Sequence, residues 1–358
     1  MPGPDCPSMC GNVEIPYPFG IGEGCGRQGF NPYPLTCNHS FSSPRPYLGN
    51  VEISNISPET GEIRVFSLPS YICYNLNSPY LFTTYDLEWT LTNPFVISGR
   101  RNEFTAIGCN TVAMLNSTRY FTGCVSYCES IEDAAADGDK CTGLGCCQIP
   151  ISGNLKTTQV QWNYKNGTDR YYPYPYSQCS FAFVAEKGWY NFSRQDLILD
   201  GNNSFSSRVM DTKPMPVVLE WAIRDDGSCR PPPKDGDTSA KLTAPACVSK
   251  NSFCVNATQG SGYLCNCSEG YTGNPYVTGD KECTNINECD LRKSDPEKYE
   301  KLYPCYSGST CHDTEGAYKC KCKFALKGDG KSEKGCQPIF PVWAISILGI
   351  FVFRQKWG

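Results

Sequence analysis

Hydrophobic and polar positions alternate in short runs through residues 1–228, and sustained helical periodicity is hard to find there. Val51-Glu52-Ile53 and Ile63-Arg64-Val65-Phe66 carry the two-residue period of strands. The turn residues Ser57-Pro58-Glu59-Thr60-Gly61 lie between them, so the stretch predicts a hairpin with a longer loop. Phe181-Ala182-Phe183-Val184 and Pro216-Val217-Val218-Leu219-Glu220-Trp221 predict further strands, and residues 129–136 predict a short helix. Arg230-Pro231-Pro232-Pro233-Lys234-Asp235-Gly236-Asp237 reads as an exposed loop or linker. Residues 339–353 form an uncharged apolar run of fifteen, followed by Arg354-Gln355-Lys356. That run is shorter than the roughly twenty residues of a membrane helix. Its positive flank suits a cytoplasmic side, so it reads as a partial transmembrane segment.

Composition places this β-rich chain in an oxidising compartment. It has 24 cysteines in 358 residues, a density that belongs to secreted or cell-surface proteins. Zinc binding is a poor alternative, because there are two histidines and no Cys-x-x-Cys pair. Asn-x-Ser/Thr acceptors for glycosylation occur at Asn38, Asn55, Asn116, Asn166, Asn191, Asn202 and Asn256; Asn266 also fits but sits between two cysteines of a tight turn. The net charge is -4, and residues 1–150 hold seven Lys/Arg against fourteen Asp/Glu, so charge offers nothing for nucleic acid. The opening Met1-Pro2-Gly3-Pro4-Asp5-Cys6 has neither the basic start nor the apolar stretch of a signal peptide.

Twelve cysteines precede residue 228 and twelve follow it, the latter in two sets of six. Each set ends with Cys-x-Cys, a Gly-containing stretch and a last Cys. Spacing alone leaves all fifteen connectivities of six cysteines open. The pattern resembles the epidermal-growth-factor-like (EGF-like) domain. That resemblance implies Cys229–Cys254, Cys247–Cys265 and Cys267–Cys283 in the first module, and Cys289–Cys311, Cys305–Cys320 and Cys322–Cys336 in the second. In the second, Asn285-Ile286-Asn287-Glu288-Cys289 precedes Cys311-His312-Asp313-Thr314-Glu315-Gly316-Ala317-Tyr318-Lys319-Cys320. These segments resemble the calcium-binding class, in which side chains and main-chain carbonyls share a cation that takes roughly six to eight oxygens. The resemblance implies one Ca2+ held by the side chains of Asn285, Glu288 and Asp313 and the carbonyls of Ile286, Thr314 and Ala317. Tyr318 is then packing. Asn285 stands where Asp is frequent, which predicts weaker affinity. The first module departs from this pattern and predicts no calcium. Calcium in the second would stiffen the junction between the modules.

The opening Cys6-Pro7-Ser8-Met9-Cys10-Gly11-Asn12-Val13-Glu14-Ile15-Pro16-Tyr17-Pro18-Phe19-Gly20 resembles the galacturonan-binding domain of plant wall-associated receptor kinases. Thr105-Ala106-Ile107-Gly108-Cys109-Asn110, Phe121-Thr122-Gly123-Cys124, Gly143-Leu144-Gly145-Cys146-Cys147 and Leu219-Glu220-Trp221-Ala222-Ile223 are similar to the same family. The resemblance implies a mainly β, disulfide-rich protein. Its parts are a galacturonan-binding-like domain over 1–128, a second part of the ectodomain over 129–228, EGF-like modules over 229–283 and 285–336, and the partial membrane segment over 339–353. It implies a plasma-membrane protein facing the extracellular side, or one secreted to the cell wall, that binds pectin or oligogalacturonides. The alternative partner is an extracellular protein or peptide bound through the EGF-like pair. Galacturonan is a polyanion, so Arg27, Arg100 and Arg101 are candidate contacts, with Tyr17 and Phe19 as candidate stacking platforms. Arg45, Arg64, Arg119 and Lys140 complete the cations of residues 1–150, and Tyr33 and Tyr47 are further aromatics. Calcium bridging pectin to protein carboxylates is a second route that the acidity allows. No catalytic residues are assigned: kinase signatures are absent from this chain. Gly24-Cys25-Gly26-Arg27-Gln28-Gly29 lacks the strand–helix setting of a nucleotide loop.

Overall fold

The computed structural model describes residues 3, 5–30, 34–75, 78–162, 175–198, 205, 208–209, 214–230 and 242–339. The chain divides into two compact units, Met1–Cys247 with Cys254–Asn266, and Val248–Phe253 with Cys267–Gly358. All 24 cysteines are disulfide-bonded, and the fold is mainly β.

The three larger sheets of the first unit are antiparallel. The six-stranded sheet runs in the order Phe95–Ile97, Met215–Trp221, Glu62–Ser67, Val51–Ser57, Arg45–Leu48, Leu35–Asn38. The five-stranded sheet runs Cys146–Pro150, Asn102–Ile107, Cys179–Glu186, Ser70–Asn75, Ser78–Tyr85. The four-stranded sheet runs Tyr120–Ser126, Thr111–Ser117, Thr157–Trp162, Glu88–Thr90. Ile97 and Val217 from the first, Ala182 and Phe183 from the second, and Leu115 and Val160 from the third line one small common cavity.

The hairpin predicted at 51–66 is present as Val51–Ser57 and Glu62–Ser67. In the second of these strands Ile63 and Val65 are buried while Glu62 and Arg64 face outward. Gly61 closes the turn with φ 66°, a backbone conformation that calls for glycine. The strands predicted at 181–184 and 216–221 lie within Cys179–Glu186 and Met215–Trp221. The short helix predicted over 129–136 is not formed; those residues make turns. The Ser130 side chain accepts from the Asp133 N–H at 3.3 Å, as a helix cap would. The helix does not propagate because the Arg194 guanidinium takes the carbonyls of Glu132, Ala134 and Ala135 at 2.8–3.1 Å.

The division expected at residue 128 does not separate two bodies. Met215–Trp221 is the second strand of a sheet otherwise drawn from residues 35–97, and Cys73–Cys179 and Cys124–Cys147 cross the boundary. The other bridges of this region are Cys6–Cys25, Cys10–Cys37, Cys109–Cys128 and Cys141–Cys146. The neighbours Cys146 and Cys147 thus serve different bridges. Residues 254–266, part of the span assigned to the first EGF-like module, also belong to the first unit. Ile223 and Tyr263 exchange backbone hydrogen bonds at 2.9 and 3.0 Å. Arg224 donates to the carbonyls of Pro94 at 3.0 Å and Gln259 at 3.1 Å.

All seven residues of Met215–Trp221 are buried, and Glu220 is the one ionisable group among them. Its carboxylate accepts from Ser98 Oγ at 2.5 Å, Thr258 Oγ1 at 2.9 Å and Gln259 Nε2 at 3.1 Å. A buried carboxylate is tolerated only with such donors. Trp221, beside it, meets Phe19 and Phe30 edge-on with ring centroids 5.1 and 5.5 Å apart. Glu220→Ala leaves three donors without an acceptor and is expected to destabilise the first unit by about 2–4 kcal/mol, with Glu220→Gln losing less. Denaturant unfolding with disulfides intact measures this; a midpoint unchanged in the alanine variant contradicts it.

Candidate functional site

Strand Glu62–Ser67, the turn before Asn102–Ile107 and the end of Cys179–Glu186 place three arginines on one surface. Arg64 Nε donates to Glu186 Oε2 at 2.7 Å, and Arg101 Nη2 donates to Glu186 Oε1 at 2.8 Å. Arg100 Nη2 lies 3.3 Å from Glu62 Oε1, and Arg101 Nε lies 3.7 Å from the same oxygen. Lys187 joins them, its Nζ 2.8 Å from the Arg100 carbonyl. Three guanidinium groups therefore surround two carboxylates, with the Lys187 ammonium on the backbone of the same turn. The arginine side chains keep 42–63% of their surface exposed, which leaves N–H groups for an external anion. Guanidinium forks match carboxylates in shape as well as charge.

The turn that presents Arg100 and Arg101 is locked from beneath. Asn102 is fully buried. Its Nδ2 donates to the carbonyls of Ser98 at 2.8 Å and Val218 at 2.7 Å, and its Oδ1 accepts from the Val218 N–H at 2.9 Å. The Lys187 N–H donates to the Arg101 carbonyl at 2.8 Å. Residues 100 and 101 are thus held on a stiff backbone while their side chains reach outward.

The other candidates for the carbohydrate go elsewhere. Phe19 is 3% exposed, with Phe30, Phe95 and Trp221 around its ring. It is a core residue, which corrects its assignment as a stacking platform. Arg27 donates to Asp226 Oδ2 at 2.5 Å and lies 3.8 Å from Asp225, so its charge is met inside the protein. Tyr17 lines a cleft with Gly22, Glu23, Arg27 and Thr36, and burial pushes its phenol above the usual range. Arg45 pairs with Glu52 at 3.1 Å and covers the Phe41 ring. Arg119 and Lys140 are exposed and take part in none of the described ion pairs of the cluster. Tyr33 lies outside the described residues. Sequence reading missed Glu62, Glu186 and Lys187 as members of the cluster. Only strand pairing, which sets Asn102 opposite Glu186, reveals them.

In the second unit the bridges are Cys267–Cys283, Cys289–Cys311, Cys305–Cys320 and Cys322–Cys336. Cys229–Cys254 and Cys247–Cys265 lie in the first. The Cys289–Cys311 bridge carries the helix Glu288–Ser294 to the hairpin of Ser309–Thr314 and Ala317–Cys322. Asn285, Glu288 and Asp313 meet there. Asn285 Nδ2 donates to Asp313 Oδ2 at 3.1 Å, and Asn285 Oδ1 accepts from the Gly316 N–H at 2.5 Å. Glu288 is 3% exposed and its Oε2 is buried without a hydrogen-bond partner. Burial pushes its carboxyl above the usual range, and the adjacent Asp313 adds to the rise. Two carboxylates side by side, one with an orphaned oxygen, fit a cation between them. Asn285 is not turned for this role: its amide nitrogen faces Asp313 and its oxygen holds the Gly316 N–H, so coordination by that oxygen would give up the Gly316 bond. Among the described residues no group of three His, Cys, Asp or Glu gathers. The remaining oxygens would come from the carbonyls of Ile286, Thr314 and Ala317, the last of which accepts from Thr314 Oγ1 at 2.7 Å. Tyr271 stands against Gly316, where a Cβ would lie 2.9 Å from its ring.

Of the glycosylation acceptors, Asn38, Asn55, Asn191 and Asn256 are exposed, Asn116 and Asn266 are partly exposed, and Asn166 and Asn202 lie outside the described residues. So does the apolar segment 339–353 apart from Ile339. No helix among the described residues is long and apolar enough to cross a membrane.

A family model described as wall-associated receptor kinase galacturonan-binding matches residues 6–67. Wall-associated receptor kinase 2 of Arabidopsis thaliana is 30% identical over 99% of this chain and 45% of its own length. Wall-associated receptor kinase 4 is 31% identical over 97% and 43%, and wall-associated receptor kinase 1 is 29% identical over 92% and 40%. The chain spans less than half the length of these relatives. The similarity nonetheless runs through nearly all of it, from the matched opening to the last cysteine module, and supports an extracellular region of the wall-associated receptor kinase family.

Proposed function

We propose that this chain binds de-esterified homogalacturonan or its fragments through Arg64, Arg100, Arg101 and Lys187, as the non-catalytic outer part of a wall-associated receptor. Its place is the outer face of the plasma membrane, with 339–353 as the anchoring segment. The observation that carries the reading is the convergence of three guanidinium groups, one from the strand Glu62–Ser67 and two from the turn before Asn102–Ile107, on one stiff surface. Residues 1–150 are net acidic, so attraction must be local, and this cluster is where cations outnumber carboxylates. A polyuronate competes with Glu62 and Glu186 for the same forks, which favours ligands carrying several free carboxylates over single sugars.

The Arg100→Ala/Arg101→Ala double variant is expected to bind low-ester homogalacturonan about tenfold more weakly, a loss of about 1.4 kcal/mol. Binding is expected to weaken with salt and to survive chelator, because guanidinium contacts need no metal. Titration against low- and high-ester polymers checks this; equal affinity in the double variant, or loss of binding in chelator, contradicts the arginine contact.

The second module, on this reading, is a calcium-binding EGF-like unit. Glu288 and Asp313 would hold the ion, which when bound would supply a double positive charge to offset their two carboxylates. Its affinity is expected to lie near the about 10⁻⁴–10⁻³ M of extracellular modules. Because the Glu288 carboxyl is raised, its proton competes with calcium from a higher pH than an ordinary glutamate would. In chelator the folded module takes up that proton more readily than the unfolded chain, so its stability rises as pH falls through the folded value. With calcium, which requires the carboxylate, the trend reverses. Melting curves against pH in the two conditions, with Asp313→Asn as the variant that removes the calcium response, test this. Identical curves with and without calcium would sink the assignment.

A further inference from the structure

The strand Ala317–Cys322 carries two chemistries by alternation. Tyr318, Cys320 and Cys322 are partly covered, and the latter two are tied by disulfides to Cys305 and Cys336. Lys319 and Lys321 are exposed, and Lys323 continues the same spacing, its N–H bonded to the Gly308 carbonyl at 2.9 Å. Alternate residues of a strand lie about 6.5–7 Å apart on one face. Their cross-strand partners on that face are His312, opposite Lys319, and Thr310, opposite Lys321. Neither is acidic, and residues 316–328 contain four lysines and no Asp or Glu. Among the described residues the ion pairs of this unit are Arg292–Glu300 and Lys293–Asp290, so none neutralises the row. Phe324, next in the chain, is fully exposed.

We infer that Lys319, Lys321 and Lys323 form a second polyanion-binding face, and that its ligand is a linear polyuronate. The disulfides on the covered face hold the backbone from which the three lysines project, so little backbone entropy is lost when they meet a regularly charged chain. A polyuronate offers a carboxylate on every sugar and an apolar sugar face that Phe324 can cover, where a small anion would use one lysine. The choice of polyuronate rests on the pectin reading above; the row of lysines is a separate surface from the arginine cluster and is tested separately.

The test uses the whole chain. Wild type, Lys319→Ala/Lys321→Ala/Lys323→Ala and the corresponding triple arginine variant are titrated with de-esterified homogalacturonan from about 50 to 200 mM salt. The alanine variant is expected to lose about tenfold in affinity at the low end. Its slope of log affinity against log salt is expected to fall by about 2, at about 0.7 released counterions per lysine on a single-stranded polyanion. The arginine variant, with charge retained, is expected to match wild type, which separates lost charge from lost fold. An alanine variant equal to wild type in affinity and slope overturns the lysine face while leaving the arginine cluster standing. Binding to anionic phospholipid vesicles but not to polyuronate through these lysines overturns it in favour of a membrane surface. If wild type itself binds no homogalacturonan, both readings fail together.

Discussion

The buried carboxylate of Glu220 is the constraint on which the first unit depends. A charge in a strand covered on both faces survives only if donors come to it, and they come from two distant stretches of chain. Ser98 comes from the turn after Phe95–Ile97, and Thr258 and Gln259 come from the loop of the first cysteine module. Satisfying one carboxylate therefore sets the turn at residues 98–101 and docks residues 254–266 onto the same body. Trp221, next along, gathers Phe19 and Phe30 and so seats the N-terminal segment. The strand Met215–Trp221 is both the second strand of its sheet and the place where separate segments are tied together.

The surface chemistry follows from that internal arrangement. The turn fixed by Ser98 and Asn102 is the one that presents Arg100 and Arg101, and the strand paired to Met215–Trp221 on its other side brings Glu62 and Arg64. Glu186 completes the cluster because Cys179–Glu186 pairs with Asn102–Ile107. Exposed ion pairs such as these contribute little to stability. Their significance is positional: the glutamates hold the guanidinium groups in an orientation that an external carboxylate can take over.

The second unit separates two charge types across one thin hairpin. On one face Asp313 meets Asn285 and Glu288. On the other, Lys319 and Lys321 stand beside His312 and Thr310. Disulfides replace the hydrophobic core that so small a body cannot build, and strand alternation keeps the anionic and cationic groups apart.

Much of this was legible in the residues themselves. The content of cysteine, the two sets of six, the strands around residues 51–66, 181–184 and 216–221, and the family resemblance all rest on local spacing and composition. The places where local reading failed share a cause. Residues 129–136 have helical character, but Arg194 takes their carbonyls from about sixty positions away in the chain. Phe19, flanked by glycine and proline, carries no periodic signal of its side, and only the approach of Trp221 makes it core. Arg64 and Arg101 are separated by many residues and become neighbours through Glu186, a contact that strand order decides. The sequence by itself therefore determined the chemistry available: disulfides, oxygen ligands, cations and a β framework, because these depend on residue type and near spacing. The tertiary structure alone decided which cations share a surface and which aromatics are covered, because both depend on pairing between strands distant in the chain.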